Sequence, residues 1–172
     1  STDYPRKKLE WIIIDDSDQA NDVRNILPEN LDINYTDIKY IRLTEKTSYG
    51  KQLNMAIEKS TNDVMLIMNP DDFFYENAIR SIIINLKRYN KNIVGITNCA
   101  GFDINNSRSI IDIPNIIDKY YNQLYTGGLC FMKSYWSNNK FSEGMSEDES
   151  PLKGFIDNKL ENIHEYYFQD II

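Results

Sequence analysis

Two short apolar runs, each ending in a pair of carboxylates, constrain this chain more than any other feature. Trp11–Ile14 runs straight into Asp15 and Asp16, and Val64–Met68 passes through Asn69-Pro70 into Asp71 and Asp72. Runs this short suit strands covered on both faces, as in a parallel sheet. The first strand is expected over Leu9–Ile14. Gln19–Leu27 then reads as a helix with Asp18 as its N-cap and Pro28 as its stop. Ile38–Leu43 reads as a strand, and Leu53, Ala56 and Ile57 at i, i+3, i+4 mark a helix starting near Tyr49. After the strand Val64–Met68 comes a helix over Glu76–Tyr89, with Ile79, Ile82, Ile83 and Leu86 on one face. "NIVGITN", "GLCFMKS" and the closing "NIHEYYFQDII" read as strands, residues 101–125 as irregular, and "FSEGMSEDESPLKGFIDN" as an acidic loop entering a helix.

With no internal repeat and no linker, residues 1–172 read as a single domain. Alternating strands and helices predict an α/β layered fold with a mostly parallel sheet. Ligands bind such sheets at the carboxyl ends of the strands, where both acidic pairs fall.

Composition removes several function classes. The net charge of −7 disfavours a nucleic-acid partner, and the basic runs Arg6-Lys7-Lys8 and Lys87-Arg88 are too short to form a patch. A phosphorylated small molecule remains compatible if a divalent cation bridges it to the acids. No apolar run approaches the ~20 residues of a transmembrane segment, and "STDYPRKKLE" does not have the pattern of a signal peptide. Cys99 and Cys130 have no CxxC spacing and read as buried reduced thiols. The expected setting is the cytoplasm.

Carboxylates crowded at a strand end repel one another and resist desolvation. A divalent cation between them and a diphosphate relieves both costs, and hard oxygen ligands suit Mg2+ or Mn2+. The plain alternative is a turn, which Asp, Asn and Pro also favour.

The ordered set "EWIIIDDSD … YGKQLNMAIEKSTNDVMLIMNPDDFF … SEDE" resembles the family-2-like inverting glycosyltransferases of the GT-A fold, a Rossmann-like nucleotide-sugar-binding architecture. The resemblance covers roughly Leu9 to Phe155. It implies that Asp16 contacts the uracil or ribose of a UDP-sugar, while Asp15 and Ser17 shape the turn. Lys51 is implied to lie near the nucleotide, or else is a solvated helix lysine. Asn54 corresponds to a helix asparagine that is either structural or substrate-binding. Asn69 and Asp71 correspond to the nucleotide- and metal-binding motif, with Asp71 and Asp72 as ligands of Mn2+ or Mg2+. Asp148, beside Glu147, corresponds to the catalytic base that deprotonates an acceptor hydroxyl, the acceptor being a glycan, protein or lipid. The lone His164 reads as a strand histidine with an ordinary hydrogen bond, the alternative being that it reaches the site from the far edge of the sheet.

Three departures accompany the resemblance. Asn69 stands where the family usually has the first Asp of its metal motif, and Asp18 follows Ser17 with the usual Gly missing. The chain also begins after the point where the family's first strand is expected. That strand would lie between those ending at Asp16 and Asp71, so a longer polypeptide or an oligomer is expected to supply it. Two alternatives remain open. One is a catalytically inactive GT-A-like binding domain. The other is a phosphoacceptor receiver domain, using Asp15, Asp16, Asp71, Thr97 and Lys133.

Overall fold

The computed structural model describes residues 2–17, 37–70, 74–88, 90, 93–96, 101–103, 108–110, 128–146 and 163–166. A 3-10 turn at Arg6–Lys8 leads into β1 (Glu10–Asp15), followed by β2 (Asp37–Arg42), α1 (Tyr49–Lys59) and β3 (Val64–Leu66). Then come α2 (Ala78–Arg88), β4 (Ile93–Ile96), β5 (Gly101–Asp103), β6 (Arg108–Ile110), β7 (Cys130–Met132), α3 (Lys133–Asn138) and β8 (Ile163–Tyr166). The helix expected over Gln19–Leu27 lies outside the described residues.

The sheet is mixed. β1 and β2 pair in parallel, with Glu10 opposite Asp37 and Asp15 opposite Arg42. The central sheet has the order β3-β7-β4-β8, in which β7 runs antiparallel to both of its neighbours and β4 pairs in parallel with β8. The stretch expected to be irregular contains a small antiparallel pair, β5 with β6. Among the described residues β1 pairs only with β2, and no pairing joins β1 to β3. β1 is also less covered than a strand buried on both faces, because Trp11 is 45% exposed and the most buried residue is an acid, Asp15, at 4%.

Alternation along β3 and β7 sorts the core into two layers. Met65, Ile67, Leu129 and Phe131 face α1, where they meet Leu53, Ile57, Trp136, Phe141 and Met145. Val64, Leu66, Cys130 and Met132 face α2 and meet Ile82 and Leu86. Phe131 is fully buried and packs edge-on against Phe141, centroids 5.9 Å apart. Burying a side chain of this kind is worth roughly 1.5–3 kcal/mol. The pairing of β3 with β7 ends in a bulge, where Gly128 N–H donates to the Ile67 carbonyl (2.8 Å) and Ile67 N–H donates to Leu129 (2.9 Å). Gly128 adopts φ 91°, the left-handed conformation this bulge needs and glycine supplies without strain. Among the described residues no helix is long and apolar enough to cross a membrane.

Candidate functional site

The amino-terminal half of α1 is where the strand ends meet. Glu10, at the start of β1, accepts from the Thr61 backbone N–H (2.7 Å) and hydroxyl (3.1 Å) in the turn before β3. Lys39 also donates to Glu10 and reaches the Lys59 carbonyl, at the far end of α1. Both strands therefore start beside the carboxyl end of α1, and both finish beside its amino end.

Asp15 is committed to the protein. Its Oδ2 accepts from Tyr40 and from Arg42 Nη1 (2.6 Å), and its Oδ1 accepts the Ser17 N–H at 2.9 Å. The last bond is an Asx turn, which bends the chain out of β1. Arg42 adds bonds to the Ser17 hydroxyl (3.0 Å) and carbonyl. Its guanidinium is held above its ordinary value first by Tyr40, with burial opposing and Asp15 adding. Asp15 and Ser17 thus shape the turn, and Asp16 projects from it. Asp16 Oδ2 accepts from Gln52 Nε2 at 2.7 Å, and the same amide donates to the Thr47 carbonyl at 3.0 Å. A cavity of about 330 Å³ opens here, lined by Asp16, Ser17, Arg42 and Leu43–Lys46.

Asn69 lies beyond the end of β3, with its Oδ1 3.4 Å from the Tyr49 hydroxyl at the first residue of α1. The structure therefore brings Asp16, Ser17 and Asn69 to one end of one helix. Lys51 is exposed. Its neighbour Gln52 is the α1 side chain that reaches Asp16. Gln52 was invisible to sequence reading, since a polar residue beside a lysine on a helix reads as a solvated face. Asp71, Asp72, Glu147 and Asp148 lie outside the described residues. Among the described residues no cluster of three potential metal-binding side chains occurs.

Asn54 is structural. It is buried, its Nδ2 donates to the Phe141 carbonyl (2.9 Å), and its Oδ1 accepts from Phe141 N–H (3.1 Å) and Trp136 Nε1 (2.9 Å). It ties α1 to the segment 141–146, which leads into the acidic residues 147–149.

The Glycosyl transferase family 2 profile matches residues 2–143. Solved structures of similar fold include residues 1–349 of S. aureus TarS, at 12% identity and a TM-score of 0.66, covering 96% of this chain and 50% of that one. The same TarS fragment in complex with UDP-GlcNAc aligns at 15% identity and a TM-score of 0.63, covering 89% and 45%. S. aureus TarS aligns at 17% identity and a TM-score of 0.65, covering 98% and 31%. The chain thus spans half or less of the length of these proteins, and at such identities the likeness speaks to the fold alone. No curated protein sequence matches the chain. The family match sets aside the receiver-domain alternative. On its sequence and its architecture, the chain belongs to glycosyl transferase family 2 and has the GT-A fold.

Proposed function

We propose that the chain binds a nucleotide-sugar donor, a UDP-sugar in the first place, and passes the sugar to an acceptor hydroxyl with inversion in a metal-dependent reaction. The observation that carries this reading is the convergence of Asp16, Asn69 and the segment entering residues 147–149 on the amino-terminal half of α1. The cavity beside Asp16 is at the low end of the ~300–1,000 Å³ typical of small-molecule sites and is large enough for a nucleobase with its ribose. Asp16 would bind the ribose or uracil while Gln52 fixes its orientation. The TarS fragment of the same fold has been solved with UDP and with UDP-GlcNAc, which supports the same donor class here.

Asp71 and Asp72, with the Asn69 amide oxygen beside them in sequence, are hard oxygen donors of the kind Mg2+ and Mn2+ take. When bound, the cation supplies charge neutralisation for the departing diphosphate. Asp148 removes the proton of the acceptor hydroxyl as its oxygen bonds to the anomeric carbon. The bond from that carbon to the diphosphate oxygen breaks on the opposite face, and the nucleoside diphosphate leaves.

Calorimetry with UDP and Mn2+, together with turnover of UDP-GlcNAc, tests the reading. Asp148→Asn is expected to lower turnover by about 10²–10⁴-fold with UDP affinity nearly unchanged, since a base acts in the transition state. Asp71→Asn should weaken Mn2+-dependent UDP binding as well. Equal losses of binding in both variants would sink the role of Asp148. Asn69, an amide in place of the usual acid, favours one second reading, a donor-binding domain without turnover. Tight UDP binding with no turnover would select it.

A further inference from the structure

We propose that α1 is the positioning element that sets the base segment against the donor, acting through Ser48, Gly50 and Asn54. The inference rests on the reading above and concerns residues whose bonds run to the segment 141–146.

The segment 141–146 is held to α1 largely by its backbone. Asn54 satisfies both the N–H and the carbonyl of Phe141 with one side chain, as a neighbouring strand would. Gly50, on the same face one turn earlier, donates its N–H to the Met145 carbonyl at 3.2 Å. A methyl group built on Gly50 would overlap the Ser142 carbonyl oxygen, so helix and segment approach as closely as a glycine permits. Ser48 occupies the N-cap position, yet its side chain makes no cap bond. Its hydroxyl donates instead to the Glu143 carbonyl. A serine at an N-cap ordinarily accepts an N–H of the first turn, so the contact with the segment replaces the usual local one.

Gln52 lies among these residues on the same helix and holds Asp16. One short rigid element therefore grips the donor-side carboxylate and the segment entering 147–149. Asp148 follows Ser146 by two residues in the sequence, so whatever holds 141–146 acts on the segment adjoining the proposed base. Core packing alone would need apolar residues along this stripe, but Gly50 and Asn54 occupy it with Ile57.

Ser48→Asp separates positioning from helix capping. Aspartate caps a helix as well as serine does but cannot donate to a carbonyl. The expected result is an unchanged or higher melting temperature, UDP–Mn2+ affinity within about twofold of wild type, and kcat for UDP-GlcNAc turnover reduced severalfold. Ser48→Thr, which keeps the hydroxyl, should restore kcat. Gly50→Ala should give a larger kcat loss, about tenfold or more, with faster amide hydrogen exchange across residues 141–150. Wild-type kcat in both Ser48→Asp and Gly50→Ala would overturn the proposal, as would parallel loss of kcat and UDP affinity. A wild-type protein with no UDP-GlcNAc turnover would count against the proposed activity instead. Hydrogen exchange then decides, and unchanged protection of 141–150 in Gly50→Ala overturns the clamp.

Discussion

The two faces of the central sheet are covered by helices of equal length that bury different chemistry. α2 presents Ile82 and Leu86, at i and i+4, to Cys130, Val64, Leu66 and Met132, and its third buried residue is Ala78, so its buried positions carry no polar side chain. α1 presents Gly50, Asn54 and Ile57 at i, i+4 and i+7, so two of its three buried positions serve backbone contact or hydrogen bonding. An apolar face tolerates small slips, because dispersion and burial are non-directional. A face pinned by Asn54 to both backbone groups of Phe141 has one register. α2 covers the sheet, whereas α1 also fixes where another segment stands.

The greatest loss of stability is expected on the α1 side. Asn54→Ala leaves Trp136 Nε1 and both backbone groups of Phe141 without their partner. At roughly 1–3 kcal/mol for each buried unsatisfied group, urea unfolding should show a loss of about 4 kcal/mol. On the α2 side Ile82, 1% exposed, sits in the apolar cluster with Leu86 and Cys130. Ile82→Ala should cost about 3 kcal/mol through its cavity, with kcat and UDP affinity unchanged wherever the protein is folded. An Ile82→Ala variant that loses turnover while folded would erase the distinction.

Burial pushes the Cys130 thiol, under α2, up to about 12. Its reaction with a thiol reagent at neutral pH should therefore follow unfolding, and labelling at the rate of a free thiol would show that the α2 layer opens. Glu10 anchors the opposite end of α1 through Lys39 and Thr61. Burial opposes its charge, but the bonds from Lys39 and from the Thr61 backbone and hydroxyl outweigh it, leaving the carboxyl below its ordinary value. A carboxyl that titrates lower in the folded protein than in the unfolded chain stabilises the fold at neutral pH. That contribution disappears as pH falls through the lowered folded value. Glu10→Gln should flatten the acid limb of the stability profile, and an unchanged limb would count against the anchor.

Much of the fold was legible, because apolar runs and helical spacing report burial directly. β2, α1, α2 and β7 lie where those patterns put them. The antiparallel direction of β7 was not legible, since strand order and direction depend on connections that no local pattern encodes. α3 follows β7 without a capping side chain at Met132, and so gave no start signal. The buried stripe of α1 was legible only in part, for a physical reason. Leu53, Ala56 and Ile57 mark the general side, but Asn54 counts as outward by hydropathy unless its partners are known. Those partners, Trp136 and Phe141, are 82 and 87 residues away. At the site, the Asp15-Asp16-Ser17 turn was legible from its residues, while the roles of Gln52 and Gly50 arise only from tertiary approach.

The place of β7 has a consequence for how the chain is made. β3 ends at Leu66 and β4 at Ile96, yet the strand that joins them is Cys130–Met132. A ribosome delivers β3, β4 and α2 well before the strand that β3 and β4 share, so the edges of both that face β7 stay unpaired, and the apolar side of α2 lacks Cys130 and Met132, until residue 132 has emerged. Pairings this distant in sequence are slow to form, and exposed edges invite association during the wait. A nascent chain stopped at residue 128 should lack cooperative unfolding and stay sensitive to protease, whereas one extended through Met145 should gain both the central strand and the segment that closes the α1 layer.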